Sequence, residues 1–303
     1  MAREPPAGAA DSEFPLPMAE GLPSPFASMS RSTPDARPEV DPHPVDRGVV
    51  VFDLDGTLLD DLRLTSAVAA DVLERAFHTP ADEGRVHYLA TTGMPFEAQI
   101  AQLYPKAPAP LRASTARIFH QRKVTEAYAH ASPFPDVPKL LKRLSQERWT
   151  LVVSTGAETE MAELILEREG LRYWFEGVLG SAEGTKREHL TEYQRRFPGA
   201  RLFLVGDSRF DMEAALSVEG VTPIGRATSF LNWTLTPEDL RRWGAEWADY
   251  SLSELPEVLA RLERPRRATR AAATDRRRTV PDRRPPKRVS TPRTTRSAPR
   301  RRR

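Results

Sequence analysis

The sequence predicts an α/β fold in which a parallel β-sheet lies between two layers of helices, with a helical domain inserted after the first strand. Three observations support this prediction. Short runs of β-branched and other apolar residues alternate with helical patterns, which is typical of a parallel sheet with helices on both faces. Pairs of carboxylates follow two of these runs directly. A stretch of about seventy residues after the first run contains helical patterns and no convincing strand.

Composition limits how much of the chain can fold. The 303 residues are 39% hydrophobic and 29% charged, so a core is possible without every residue belonging to it. Residues 1–47 hold ten prolines and no helical or strand period, and residues 264–303 are arginine-rich without apolar periodicity. We predict that both segments are disordered, because neither buries enough apolar surface to offset its conformational entropy. The folded part is predicted over residues 48–262.

The predicted core is a Rossmann-like α/β unit made of residues 48–60 and 133–262. Its strands are the apolar runs at residues 48–53, 148–155, 200–207 and 221–225. Helical patterns lie at residues 135–148, 158–170, 186–197, 210–220 and 253–263. Ligands of such sheets bind at the carboxyl ends of the strands.

Residues 61–132, which we call the helical insertion, interrupt this alternation. Helical patterns at residues 63–77, 95–104 and 111–131 predict a separate small helical domain over the sheet. Three of its residues precede a predicted helix and form a candidate substrate-selecting turn: Thr91, Thr92 and Gly93. An ordinary turn between helices is the alternative.

The first strand ends in two carboxylates, Asp53 and Asp55, followed by Gly56. Side chains alternate along a strand, so the two carboxylates point the same way and can address one site. They repel each other unless a divalent cation neutralises one or one stays protonated. This favours a nucleophile and metal ligand beside a proton donor. The alternative is a strand end followed by a turn, where Asp and Gly are common.

Other strand ends bring further polar groups to the same edge. Ser154, followed by Thr155 and Gly156, offers a hydroxyl and backbone N–H groups that suit a phosphate oxygen. Lys186 begins a predicted helix, where an ammonium group and the helix N-terminus together can offset phosphate charge.

The third strand of the predicted core is followed by Asp207 and Asp211, which add two more carboxylates. Carboxylate oxygens are the protein ligands that Mg²⁺ prefers. The alternative is structural, with Asp207 as a helix N-cap and Asp211 as an acid of the first turn.

These residues, in this order, resemble the four motifs of the haloacid dehalogenase superfamily. DLDGT (53–57) is similar to the first motif, the strand end at Ser154 to the second, Lys186 to the third and GDSRFD (206–211) to the fourth. The helical insertion resembles the C1 cap of phosphoglycolate phosphatase and β-phosphoglucomutase members. One departure is Arg187, where many cap-bearing members have proline.

The resemblance implies a Mg²⁺-dependent phosphatase acting on a small phosphorylated metabolite. It implies that Asp53 attacks phosphorus to form an aspartyl-phosphate, and that Asp55 protonates the leaving oxygen and later activates water. It implies that Ser154 and Lys186 hold the phosphoryl oxygens. The implied metal ligands are Asp53, the backbone carbonyl of Asp55, Asp207 and Asp211. Dehalogenases of this superfamily lack the second aspartate, so Asp55 favours phosphate chemistry.

Two other functions stay open at this point. A sugar phosphomutase shares all four motifs, and a polyanion-binding protein with a vestigial hydrolase body would use the tail. Residues 264–303 carry 17 Lys and Arg against 2 acids, a net charge of +15. The rest of the chain has 28 basic and 40 acidic residues, a net charge of −12. We predict weak, sequence-independent nucleic acid binding by this tail through counterion release.

Several classes of protein are excluded or disfavoured. The absence of cysteine excludes a disulfide framework, a cysteine nucleophile and a thiolate metal site. No apolar run approaches the ~18–20 residues of a membrane span, so no membrane partner is expected. The first twenty residues lack the apolar segment of a secretory signal. We therefore predict a cytoplasmic location.

Overall fold

The structure is a computed structural model that describes residues 45–230 and 233–263. Its strands are β1 (Val49–Phe52), β2 (Thr150–Ser154), β3 (Gly177–Leu179), β4 (Leu202–Gly206), β5 (Val221–Arg226), β6 (Thr228–Phe230), β7 (Trp233–Leu235) and β8 (Trp247–Asp249). Its α-helices are α1 (Leu62–Phe77), α2 (Ala81–Ala90), α3 (Phe96–Leu103), α4 (Ala109–Arg122), α5 (Val137–Gln146), α6 (Thr159–Arg168), α7 (Lys186–Arg196), α8 (Arg209–Leu216), α9 (Pro237–Arg242) and α10 (Leu255–Glu263). Three short segments have π or 3₁₀ geometry: Lys123–Ala127, Tyr128–His130 and Arg172–Trp174.

Six strands form one parallel sheet in the order β3-β2-β1-β4-β5-β8. The central strand, β1, pairs with β2 on one side and β4 on the other, so that Val50 lies between Leu151 and Phe203. The carboxyl ends of β1, β2 and β4 are therefore neighbours. The α/β prediction is confirmed, and so are its four strands. The four predicted strands did not include β3, β8 or the antiparallel hairpin β6–β7.

Both faces of the sheet are covered, because successive residues of β1 enter different hydrophobic clusters. Val50 and Phe52 belong to one cluster, and Val49 and Val51 belong to another. The first cluster takes residues from α5, α6 and α10, including Leu141, Leu166 and Leu259. The second takes residues from α7 and α8, including Leu190 and Ala215. Burial on both faces explains why β1 is a continuous apolar run rather than an alternating one.

The helical insertion contains α1 to α4 and has a hydrophobic cluster of its own. Phe96 and Phe119 stack there with ring centroids 4.0 Å apart. Phe230 and Trp233 of the β6–β7 hairpin pack against this cluster. The sequence pattern did not predict helix α2, because its residues, ADEGRVHYLA, carry no clear apolar stripe. A separate cap domain remains a prediction.

The two predicted disordered segments lie outside the described residues, except for residues 45–47. Arg47 forms ion pairs with Glu147 and Glu263 and lies over the ring of Trp149, so contacts with the core extend to a residue before 48. The nucleic acid binding predicted for residues 264–303 also falls outside the described residues. Among the described residues, no helix is long and apolar enough to cross a membrane. The cytoplasmic location remains a prediction.

Asp136, the residue before α5, connects three parts of the core. Its carboxylate accepts hydrogen bonds from Arg226 Nη2 at 2.9 Å, Ser251 Oγ at 2.8 Å and the Leu252 N–H at 2.7 Å. Arg226 is 3% exposed and lies 3.7 Å from the ring centroid of Phe134. We expect Asp136→Asn to lower the free energy of unfolding by about 2 kcal/mol, because the buried guanidinium group loses its counter-charge.

The same pair gives this prediction a pH dependence. Burial alone would raise the pKa of Asp136, but the Arg226 charge and the hydrogen bonds hold it below its ordinary value. A lowered folded-state pKa stabilises the protein above the unfolded-state pKa, and this contribution is lost as pH falls through the folded-state pKa. Urea unfolding at pH 7 and pH 3 should show a smaller difference in stability between wild type and Asp136→Asn at pH 3 than at pH 7. Asp46→Asn, which breaks an exposed pair with Arg148, should change stability at neither pH.

Candidate active site

The turn after β1 brings the predicted carboxylates together. The Asp53 N–H donates to the Val205 carbonyl at 2.9 Å, which fixes the end of β1 against β4. Gly56 follows with φ of 72°, and a Cβ atom there would lie 2.4 Å from Asp207 Oδ2. Only glycine satisfies both the left-handed backbone and this close approach. The Gly56 N–H also donates to Asp61 Oδ1 at 3.0 Å, which holds the turn in place.

Three buried carboxylates, which we call the acid cluster, meet at this edge of the sheet. They are Asp53, Asp207 and Asp211, and each offers an oxygen within 4.8 Å of the others. Lys186 lies among them, with its Nζ atom 2.8 Å from Asp53 Oδ1 and in an ion pair with Asp211. Residues of the first, third and fourth predicted motifs are therefore in mutual contact.

The acid cluster carries more negative than positive charge. Burial raises the pKa of Asp53 to about 7, even though the Lys186 charge opposes the rise. Burial and the charge of Asp53 also raise the pKa of Asp207 well above its ordinary value. Asp207 Oδ2 is buried and has no hydrogen-bond partner among the described residues. An all-oxygen donor set with excess negative charge and an unused buried oxygen fits a divalent cation.

The start of α8 fixes Asp211. Asp211 Oδ2 accepts the Ser208 N–H at 3.0 Å, and the Asp211 N–H donates to Ser208 Oγ at 3.2 Å, which together form a capping box. Ser208 is thus the N-cap of α8, and the alternative that gave this role to Asp207 is wrong. With one oxygen held by its own helix, Asp211 presents Oδ1 to Lys186.

Asp55 has two partners from the helical insertion that the sequence analysis did not single out. Its Oδ2 atom accepts from Lys123 Nζ at 2.6 Å, and its Oδ1 atom accepts from the Tyr128 hydroxyl at 2.7 Å. Burial alone would raise the pKa of Asp55, but Lys123 and these hydrogen bonds hold it below its ordinary value. Lys123 is itself only 7% exposed, so this charge is buried with its partner.

A local change of helix geometry explains how Lys123 and Tyr128 meet the same carboxylate. Residues five apart on an α-helix point about 140° away from each other. The segment Lys123–Ala127 is π-helical, which brings residues five apart close to one face. The Lys123 Nζ atom accordingly lies 4.6 Å from the Tyr128 ring centroid. A sequence pattern read as α-helix could not pair these two residues.

The end of β2 places Ser154 beside a histidine. Ser154 Oγ lies 2.9 Å from His189 Nδ1, and both residues are buried. The Thr155 N–H donates to the Leu179 carbonyl, and Thr155 Oγ1 accepts from the Ala157 N–H, so both groups are used within the core. Gly156 is exposed, with open space where a Cβ atom would lie. Substrate contacts by Thr155 and Gly156 remain predictions.

With this geometry in place, comparison with known proteins identifies the family. A family model described as haloacid dehalogenase-like hydrolase matches residues 50–222. The chain belongs to this family. The predicted membership of the haloacid dehalogenase superfamily is thereby confirmed, and the protein is a phosphoric monoester hydrolase.

Alignments with similar proteins extend over about 70% of the chain of this hydrolase. It is 26% identical over 224 residues to a phosphoglycolate phosphatase of Vibrio parahaemolyticus, covering 70% of this chain and 96% of that protein. It is 26% identical over 230 residues to a phosphoglycolate phosphatase of Caulobacter vibrioides, covering 73% and 94%. The crystal structure of a predicted phosphatase from Clostridium acetobutylicum shares the fold, with a TM-score of 0.59 and 23% identity over 71% of this chain and 99% of that one.

The predicted substrate-selecting turn of the hydrolase lies against residues 207–211, the segment that carries two of the three carboxylates of the acid cluster. A Cβ atom on Gly93, whose φ is 91°, would lie 2.6 Å from Ser208 Oγ and 3.1 Å from Phe210 Cβ. The Thr91 hydroxyl donates to the His87 carbonyl at 2.7 Å, so it is used within the helical insertion. Thr92 is half-buried. Contact of this turn with substrate remains a prediction.

Proposed function

We propose that this hydrolase is a Mg²⁺-dependent phosphatase that cleaves a small phosphate monoester through an aspartyl-phosphate on Asp53. The observation that carries the proposal is the buried acid cluster around Lys186 at the carboxyl ends of β1 and β4. A core of apolar strands would not otherwise bury three carboxylates with a single ammonium group.

The acid cluster suits an oxygen-liganded divalent cation, held by Asp53, Asp207, Asp211 and the backbone carbonyl of Asp55. When bound, such an ion screens the charge of the attacking carboxylate from the charge of the phosphate. The unused oxygen of Asp207 and the raised pKa of Asp53 both support this assignment, because a cation would stabilise the ionised forms.

The residues of the chain then divide the chemistry between them. A carboxylate oxygen of Asp53 attacks phosphorus, the bond to the leaving oxygen breaks, and Asp55 gives that oxygen a proton. Asp55 can carry this proton once the substrate has drawn the Lys123 ammonium group away from its carboxylate, since that ion pair lowers its pKa. In the second half, Asp55 takes a proton from water, the water oxygen attacks phosphorus, and Asp53 leaves as a carboxylate with release of inorganic phosphate. Ser154 and Lys186 bind phosphoryl oxygens, which keeps the group in line with its attacker.

The helical insertion suggests the kind of leaving group. Lys123 and Tyr128 lie beside Asp55, where the leaving oxygen must sit to receive a proton. An ammonium group and a phenol at that point favour a leaving group with an anionic oxygen of its own. A phosphorylated hydroxy acid such as phosphoglycolate, for which the relatives are named, meets this requirement.

Phosphate release from purified full-length protein tests the proposal. We expect Mg²⁺-dependent release from 2-phosphoglycolate, and slower release from esters whose leaving group is neutral. Ca²⁺ should not replace Mg²⁺, because it prefers more ligands at longer distances and loosens the in-line geometry. Full activity in excess chelator would refute the metal assignment. No release from any ester would refute the phosphatase, and conversion of a sugar phosphate to its isomer without release would indicate a mutase.

A further inference from the structure

One turn of α7 supplies partners to two predicted site residues, the nucleophile Asp53 and the phosphate-binding Ser154. A capping box fixes where the helix begins: the Thr185 N–H donates to Glu188 Oε2 at 2.7 Å, and Thr185 Oγ1 accepts from the Glu188 N–H. Lys186 and His189 follow three residues apart and so share one face of the helix. Lys186 reaches Asp53, and His189 reaches Ser154.

The contact between His189 and Ser154 is shielded from solvent. The two residues are 1% and 0% exposed, and the Nδ1–Oγ distance is 2.9 Å. Burial lowers the pKa of His189, although the nearby Gly180 carbonyl opposes this, so the ring is neutral at pH 7 and carries one N–H. Nε2 is buried with no partner within hydrogen-bonding geometry among the described residues, so a proton on Nδ1 leaves no buried N–H without an acceptor. Among the described residues, His189 is the hydrogen-bond partner of the Ser154 hydroxyl.

The direction of this hydrogen bond decides what Ser154 can do. A hydroxyl has a single proton, and a phosphoryl oxygen only accepts. If Ser154 donated to His189, it would have no proton left for the phosphate. If His189 donates through Nδ1–H, the Ser154 oxygen accepts that hydrogen bond. The hydroxyl proton of Ser154 can then be donated to the phosphoryl oxygen.

We propose that His189 is a positioning residue for the reaction: its Nδ1–H donates to Ser154 Oγ in the phosphate complex and directs the hydroxyl proton to a phosphoryl oxygen. The proposal rests on the proposed role of Ser154 in phosphate binding. His189 does not touch the substrate and acts only through Ser154. The competing explanation is that a buried histidine merely packs α7 against β2.

Two substitutions and a matched control separate these explanations. His189→Leu removes the ring nitrogens at similar volume, whereas His189→Asn offers an amide N–H near the position of Nδ1. Tyr193→Phe is the control, because the Tyr193 hydroxyl donates to the Val153 carbonyl at 2.6 Å and so links α7 to β2 without touching Ser154. We expect kcat/KM for 2-phosphoglycolate to fall about tenfold in His189→Leu, to recover to within about threefold in His189→Asn, and to be unchanged in Tyr193→Phe. Equal losses in His189→Leu and Tyr193→Phe would indicate packing and overturn the proposal.

A double-mutant cycle tests whether His189 acts through Ser154. We expect Ser154→Ala to lower kcat/KM about 100-fold, since it removes a hydrogen-bond donor to the phosphoryl group. In that background, His189→Leu should cost less than about twofold more, because the hydroxyl it positions is gone. A further full tenfold loss would show that His189 acts independently of Ser154, and the proposal would be wrong.

A binding measurement keeps the inference separate from the proposed catalysis. Calorimetry with inorganic phosphate and Mg²⁺ should show phosphate affinity lowered in Ser154→Ala, lowered to a smaller extent in His189→Leu, and retained in His189→Asn. Thermal unfolding checks that each variant is folded. Absence of turnover with this binding pattern would refute the phosphatase and keep the inference. Turnover with unchanged phosphate affinity in folded His189→Leu would refute the inference and keep the phosphatase.

Discussion

Asp53→Asn is expected to lower kcat by about 10⁴-fold or more while the protein stays folded. The amide keeps the shape of the side chain but is a poor nucleophile, and losing a covalent catalyst typically costs this much. Asp46→Asn is the matched control, since it changes an exposed aspartate just before β1, at the opposite end of that strand from Asp53. A folded Asp53→Asn protein that keeps more than about a tenth of wild-type kcat would show that Asp53 is not the nucleophile.

The same substitution should change how metal-free protein responds to pH. Burial raises the folded-state pKa of Asp53 to about 7, above its unfolded-state value, so the folded protein holds this proton more tightly. The stabilising contribution is complete at low pH and is lost as pH rises from about 4 to 7. In chelator, wild type should therefore be less stable at pH 8 than at pH 5. Asp53→Asn should show a smaller difference, because one of the three buried acids no longer ionises.

The sequence predicted the elements whose pattern is strong by itself. β1, β2 and β4 are runs of apolar residues buried on both faces, and such runs are recognisable without knowledge of their neighbours. β3 has only three residues, GVL, and its hydrogen bonds come from pairing with β2. The hairpin β6–β7 likewise depends on packing against the helical insertion. Short strands are determined by tertiary context, which a local pattern does not contain.

The residues of the candidate site likewise fall into those that a local sequence pattern predicts and those that it does not. Asp53, Asp55 and Asp207 follow strand ends, so the parallel sheet alone brings them to one edge. Lys123 and His189 could not be found by that argument, because each lies inside a helix. The first depends on a π-helical segment, and the second depends on which face of α7 meets β2. A signal did exist for His189: it follows Lys186 by three residues, so a helix beginning at Lys186 must present both on one face.

The ion pairs of Lys186 lead to the second large expected effect. Its ammonium group contacts Asp53 and Asp211, and burial would lower its pKa if these charges did not raise it. Lys186→Met should lower kcat/KM by about 10²–10³-fold, because a charged phosphoryl-binding group is lost. Arg187→Met is the matched control: Arg187 is the next residue of α7 and is exposed, so its loss should leave kcat/KM unchanged.

Lys186→Met should also be less stable than wild type, and more so at pH 8 than at pH 5. Without the ammonium group, the acid cluster has no counter-charge among its own contacts, and its carboxylates must either ionise unpaired or stay protonated. Protons satisfy them at pH 5 but not at pH 8, so the gap to wild type should widen with pH in chelator. Added Mg²⁺ should narrow the gap at pH 8, because a bound cation stabilises the folded state by mass action. Urea unfolding at both pH values, with and without Mg²⁺, measures this difference in stability.

A difference between Lys186→Met and wild type that is the same at both pH values would mean that Lys186 does not offset the charge of the acid cluster. If kcat/KM of Lys186→Met also stayed within about threefold of Arg187→Met, the phosphoryl-binding role of Lys186 would be wrong.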